Sequence, residues 1–163
     1  MKSKIKKVSS IVLSLSILTF MSVAIAETGR QNVSGSGATQ VNPMNGLFEG
    51  SATLTIGGGE PVTAKLTAML LGDPVPSDEG VLHANVSHTF DFGNGNTFTT
   101  NDKAILDPID GSGLYTMNEK LIIAEGTGDF ESTIGDLTIH GQIYLGPMAL
   151  PWASFDIRGA ISR

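Results

Sequence analysis

The chain has 163 residues and no cysteine, with 16 acidic against 10 basic side chains and a net charge of −6 at neutral pH. That length suits a single domain able to bury a core without disulfide staples. The negative balance repels phosphate backbones and anionic lipid surfaces, so nucleic acid is not an expected partner.

The chain opens with Lys2, Lys4, Lys6 and Lys7, followed by an apolar run from Ile11 to Val23 and the small-x-small site Ala24-Ile25-Ala26. This order is that of a bacterial secretory signal over residues 1–26. The apolar run falls short of the ~20 residues of a comfortable membrane span, and no cysteine follows to carry a lipid. The expectation is therefore an exported product, periplasmic or extracellular, with no stable membrane insertion once the signal is removed. Four of the 10 basic residues would leave with it, so the exported chain would be more acidic still.

Residues 27–44 (ETGRQNVSGSGATQVNPM) are polar and rich in Gly, Ser and Asn, which predicts a flexible arm. From there a domain spanning 45–163 shows period-two patterning. Phe48, Gly50, Ala52, Leu54 and Ile56 alternate with polar residues, and Gly57-Gly58-Gly59 then turns the chain. The alternation resumes in Val62 to Leu70, Leu82 to Phe92, Phe98 to Leu106, Leu137 to Leu145 and Ala153 to Ile161. Tyr115 to Ile123 is more two-sided. No helical period is sustained after the signal, so the pattern predicts an all-β domain of roughly seven or eight strands. Glycines within strands, at Gly50, Gly141 and Gly159, suit a tightly curved, closed barrel better than a flat sandwich.

The stretch His88 to Ala104 (HTFDFGNGNTFTTNDKA) is a hairpin with a polar tip. A three-residue loop, Gly93-Asn94-Gly95, with Gly95 left-handed, places Phe90 opposite Phe98, Ala84 opposite Ala104 and Leu82 opposite Leu106. In that register His88 lies opposite Thr100 and diagonal to Asp102, ~7–8 Å apart along the backbone and within side-chain reach. If Leu106 then pairs with Tyr115, Asp102 lies opposite Glu119. His88, Asp102 and Glu119 would share one otherwise apolar face as candidate acid–base residues. Buried charges must be paired, and paired carboxyls push each other's pKa apart. The alternative is a satisfied structural network, or residues that point outward.

No metal site is expected. His83 and His88 are separated by an odd number, so alternation puts them on opposite faces. Asp91-x-Gly93-x-Gly95 lacks the ligands of a calcium loop. Neither a nucleophile elbow nor a phosphate loop is present.

The segment EGTGDFESTIGDLTIHG, Glu125 to Gly141, carries Gly126-x-Gly128-x-Phe130 and then Gly135. Two glycines permit a tight corner, Phe130 can plug a barrel end, and Gly135 opens the next strand. This spacing resembles the corner shared by plant allene oxide cyclases and dirigent proteins. The strand Ser154 to Gly159 is similar to the cyclases' last one. The resemblance covers the last quarter of the chain. It implies a calycin-like, allene oxide cyclase-like barrel, an antiparallel up-and-down sheet of eight strands, often a homotrimer, with an apolar cavity and no cofactor. None of the relatives' catalytic groups maps onto this sequence.

Together these features predict a barrel that binds an apolar or amphipathic small molecule inside, with Tyr115, Phe90 and Phe98 as ligand-contacting aromatics. A cofactor-free cyclase or isomerase using His88, Asp102 and Glu119 is the second expectation. A structural or adhesive barrel with a filled core is the third.

Overall fold

The computed structural model describes residues 29–77 and 79–163. The export signal read over residues 1–26 lies outside them. Nine strands follow in order: β1 (Arg30–Val41), β2 (Phe48–Ile56), β3 (Val62–Leu70), β4 (Val75–Pro76), β5 (Leu82–Asp91), β6 (Thr97–Pro108), β7 (Leu114–Thr127), β8 (Ile134–Tyr144) and β9 (Trp152–Ser162). All pairings are antiparallel. β9 returns to β1, and β3 pairs with β5, which closes an eight-stranded up-and-down barrel. The two-residue β4 is an outlying addition to β5.

Closure converts period two into inside and outside. On β5, Ala84, Val86, His88 and Phe90 are buried, whereas His83 and Asn85 are exposed. On β6, Phe98, Thr100, Asp102, Ala104 and Leu106 are buried, whereas Asn101 and Lys103 are exposed. Apolar inside and mostly polar outside is the reverse of a lipid-facing barrel. Among the described residues, no helix is long and apolar enough to cross a membrane.

The hairpin between β5 and β6 has the expected register, with Phe90 opposite Phe98, His88 opposite Thr100 and Leu82 opposite Leu106. Its tip is a three-residue loop in which Gly93, Asn94 and Gly95 all have positive φ, at 82°, 54° and 81°. The Asp91 carboxyl accepts the Gly93 N–H at 2.8 Å, and Asn96 Oδ1 accepts the Asp129 N–H at 2.9 Å. The polar residues of the tip thus serve the turn and bind it to the neighbouring corner.

That corner forms as its glycines suggest. Gly128, at φ 60°, opens a single 3-10 turn (Gly128–Phe130) that drops the Phe130 ring into the barrel end. There Phe130 stacks on Phe92 at 4.7 Å between centroids and meets Phe98 edge-on at 5.3 Å, while Phe98 stacks on Phe90 at 4.6 Å. These four rings plug one end of the barrel.

The expected flexible arm over residues 27–44 is corrected, as is the domain start at residue 45. Residues 30–41 form β1, whose eleven-residue ladder to β9 and nine-residue ladder to β2 complete the wall. Its inward row is Val33, Gly35, Gly37 and Thr39, so half of the core-facing positions carry no side chain to register as apolar. The glycines are there for space. Gly37 on β1 and Gly141 on β8 are the two lateral partners of Phe155 on β9. A Cβ at Gly37 would come within 2.7 Å of the Phe155 ring, and one at Gly141 would meet Phe155 at 2.6 Å and run into the Ser154 carbonyl.

Gly141→Ala should therefore cost about 1–3 kcal/mol, as overpacking of a filled interior does. The loss would be read as a lower urea midpoint at unchanged slope. A loss below about 0.5 kcal/mol, the range of an ordinary surface change, would show that the contact has slack.

Candidate functional site

Above the plug the interior turns polar. His88 on β5, Asp102 on β6 and Glu119 on β7 point inward from three successive strands, and they are only 4%, 4% and 5% exposed. His88 Nδ1 donates to Asp102 Oδ2 at 2.6 Å, and the Thr100 hydroxyl donates to the same oxygen at 2.7 Å. Glu119 Oε1 lies 3.8 Å from His88 Nδ1. Two acceptors in this cluster, Asp102 Oδ1 and Glu119 Oε1, are buried with no hydrogen-bond partner.

The three residues meet as the hairpin reading requires, with one change. Leu106 pairs with Met117 rather than Tyr115, and Glu119 lies opposite Ala104 rather than Asp102. β6 and β7 run further into the connecting segment than the loop from Asp107 to Gly113 suggested, with Asp107 opposite Thr116. The resulting slip is two residues, and a shift of two leaves every side chain on its face. Glu119 therefore stays inside, and its methyl-sized partner Ala104 leaves it room to reach His88.

Burial sets the proton balance. Burial pushes the Glu119 carboxyl up to about 7; His88 draws it down and Asp102 pushes it further up. For His88, burial favours the neutral ring, but the Asp102 hydrogen bond and the charges of Glu119 and Asp102 outweigh it and raise the pKa above 6.5. Because Nδ1 is engaged by Asp102, the second ring nitrogen, Nε2, is left for another partner.

Toward the end opposite the plug, His88 and Glu119 form the floor of a narrow cavity of about 50 Å³. Its walls are Ala68, Ala84 and Ala104 together with Met117, Ile143 and Phe155. Since one water needs ~10–15 Å³ by the same kind of measure, the space holds a few waters or one end of a small molecule. The loops around this end expose Met44, Leu71, Ile109 and Met148 among polar residues such as Asn45, Asp73 and Asp110.

The expected ligand-contacting aromatics are placed elsewhere. Phe90 and Phe98 belong to the plug below the cluster and do not line the cavity. They face inward as expected, but the taper of the barrel end uses them as filling. Tyr115, half-buried at the start of β7, packs against the core without reaching the cavity wall. The aromatics in the wall are Phe48 and Phe155, and the place of Phe155 is legible only once its glycine partners on both sides are known. Thr100 was also missed as a site residue, although the hairpin register already put it opposite His88.

A scan against protein-family models finds no match, and searches of curated proteins and of solved structures find none either.

The pH dependence of stability follows from the two raised groups. Between about 4.5 and 7 the folded chain keeps a Glu119 proton that the unfolded chain has released, so stability declines as pH rises through that window. His88 acts in the same sense, its contribution present below the ordinary histidine value and lost as pH climbs through its higher folded value. At about 1.4 kcal/mol per unit, Glu119 accounts for about 3 kcal/mol. Urea unfolding with a chelator present should show lower stability at pH 8.5 than at pH 5.5, and Glu119→Gln should remove most of that difference. An unchanged difference in the variant would mean that Glu119 is not desolvated.

Proposed function

We propose that the protein is an exported β-barrel that takes a small apolar or amphipathic molecule into its open end, with the polar part of that molecule against His88 and Glu119. The observation that carries this reading is the apolar cavity with two buried titratable groups in its floor. A mostly apolar concavity with a few convergent polar groups is the usual form of a small-molecule site. Such sites measure ~300–1,000 Å³ for drug-sized ligands, so this cavity suits a short ligand, or one end of a longer one whose remainder lies under the exposed methionines of the rim. Export is supported by the order of charged, apolar and small residues at the start of the chain. The corner that resembles the allene oxide cyclases and dirigent proteins supports an apolar ligand.

A second reading, a cofactor-free isomerase, is favoured by one feature. Asp102 holds His88 through Nδ1, which fixes the ring and presents Nε2 as a base, and Glu119 beside it is set to return a proton near neutral pH.

Binding is tested with N-phenyl-1-naphthylamine, a neutral apolar probe, by fluorescence titration and native mass spectrometry of the exported chain. One saturable site is expected, weakened at least tenfold by Ala104→Phe, which fills the cavity. No saturable binding, or equal binding by the variant, would overturn the reading. Deuterium wash-in to a bound enolisable ketone, lost in His88→Gln, would select the isomerase.

A further inference from the structure

The polar cluster has an imbalance that its own residues do not resolve. Both of its unpartnered atoms, Asp102 Oδ1 and Glu119 Oε1, are acceptors, and each belongs to a side chain more than nine-tenths buried. A carboxyl buried without a partner costs more than any ordinary unmet hydrogen bond. One proton on Glu119 relieves at most one of the two. Ala68, Ala84, Ala104 and Phe90 beside the cluster supply no donor, and the Thr100 hydroxyl is spent on Asp102 Oδ2. What is missing is a partner for these two oxygens at the centre of the cluster.

We propose that His88, Asp102 and Glu119 bind a divalent first-row transition ion at the floor of the cavity. One ligand atom from each residue falls in a set whose members all lie within 4.8 Å of one another, and the His88–Asp102 and His88–Glu119 separations are 2.6 and 3.8 Å. Ligand atoms ~2.0–2.2 Å from a tetrahedral zinc-like ion stand ~3.3–3.6 Å apart, so the His88–Glu119 separation is near that value already and the hydrogen-bonded His88–Asp102 pair opens by under about 1 Å to admit the ion. The ion displaces the proton between His88 Nδ1 and Asp102 and brings the unpartnered Asp102 Oδ1 and Glu119 Oε1 within reach of a positive centre, and its two charges balance the two carboxylates. Thr100, bonded to Asp102, orients that ligand from behind. An imidazole with two carboxylates suits zinc, cobalt or manganese. Calcium requires ~6–8 oxygens. His88 and Glu119 line the cavity, so the remaining coordination positions open toward the mouth, where water or an oxygen of a ligand completes the shell.

Strand parity brings these three residues to one face, but does not mark them as a metal set, because the ligands come one from each of three strands with no short motif between them. A search for paired histidines finds His83, which is exposed on the far face. The inference stands on the cluster alone, so metal uptake and apolar-ligand binding succeed or fail separately.

The test is titration of the chelator-treated exported chain with Co²⁺ and with Zn²⁺, followed by visible absorption and calorimetry. One equivalent is expected, with cobalt d–d bands, an affinity at least tenfold lower in Glu119→Gln and in His88→Gln, and no change in the double variant His83→Gln/His140→Gln, which removes the two exposed histidines on β5 and β8. In the unaltered chain, Co²⁺ should also shift or broaden the methyl signals of Ala68, Ala84 and Ala104 before any others, a reading that does not depend on a variant folding. No uptake at millimolar ion, or uptake that follows His83 and His140 while the cavity methyls stay unmoved, would overturn the proposal.

Discussion

Closure of the sheet between β3 and β5 is the constraint on which the rest depends. In an open sheet a polar residue of inward parity can still reach water past an edge. In a closed eight-stranded barrel it cannot, so parity alone commits His88, Asp102 and Glu119 to the interior. Their hydrogen bonds, the raised pKa values and the unpartnered carboxyl oxygens follow from that commitment. Polar groups in an apolar interior must find partners among themselves or in something that enters.

The interior is arranged in layers along the barrel axis. Four phenylalanine rings and the corner that carries Phe130 close one end. The polar cluster sits above them, with His88 tilted 35° against Phe90 at 6.2 Å. Small side chains at Ala68, Ala84 and Ala104 then leave the space that becomes the cavity. Glycine contributes by subtraction, since Gly37 and Gly141 give way to Phe155, which spans both neighbours and forms the cavity wall opposite the cluster. The cavity therefore reaches the cluster from one side only, the end opposite the plug.

Much of this was legible in the residues, and the failures have definite causes. The hairpin between β5 and β6 could be registered because its apolar sets match in one alignment only, and His88 and Asp102 came with it. Glu119 came out on the correct face despite a two-residue slip, because parity survives an even shift. β1 was read as a flexible arm because Gly35 and Gly37 occupy inward positions without adding hydropathy, and its strand character comes from ladders to β2 and β9, which are far away in sequence. Phe90 and Phe98 were placed inside correctly but fall in the plug and not in the cavity wall, since depth along the axis cannot be read from alternation. Thr100 and Phe155 needed cross-strand partners before their roles appeared.

The central claim is that His88 is locked inside the barrel by a hydrogen bond from Nδ1 to Asp102. The most direct measurement is ¹⁵N-resolved NMR of the His88 ring in metal-free protein. The account predicts a protonated Nδ1 with a strongly downfield proton that exchanges slowly with water, and a pKa above the ordinary histidine value. A ring that exchanges freely with solvent, with an unshifted pKa and no observable Nδ1 proton, would contradict it and remove the basis for a site in this barrel.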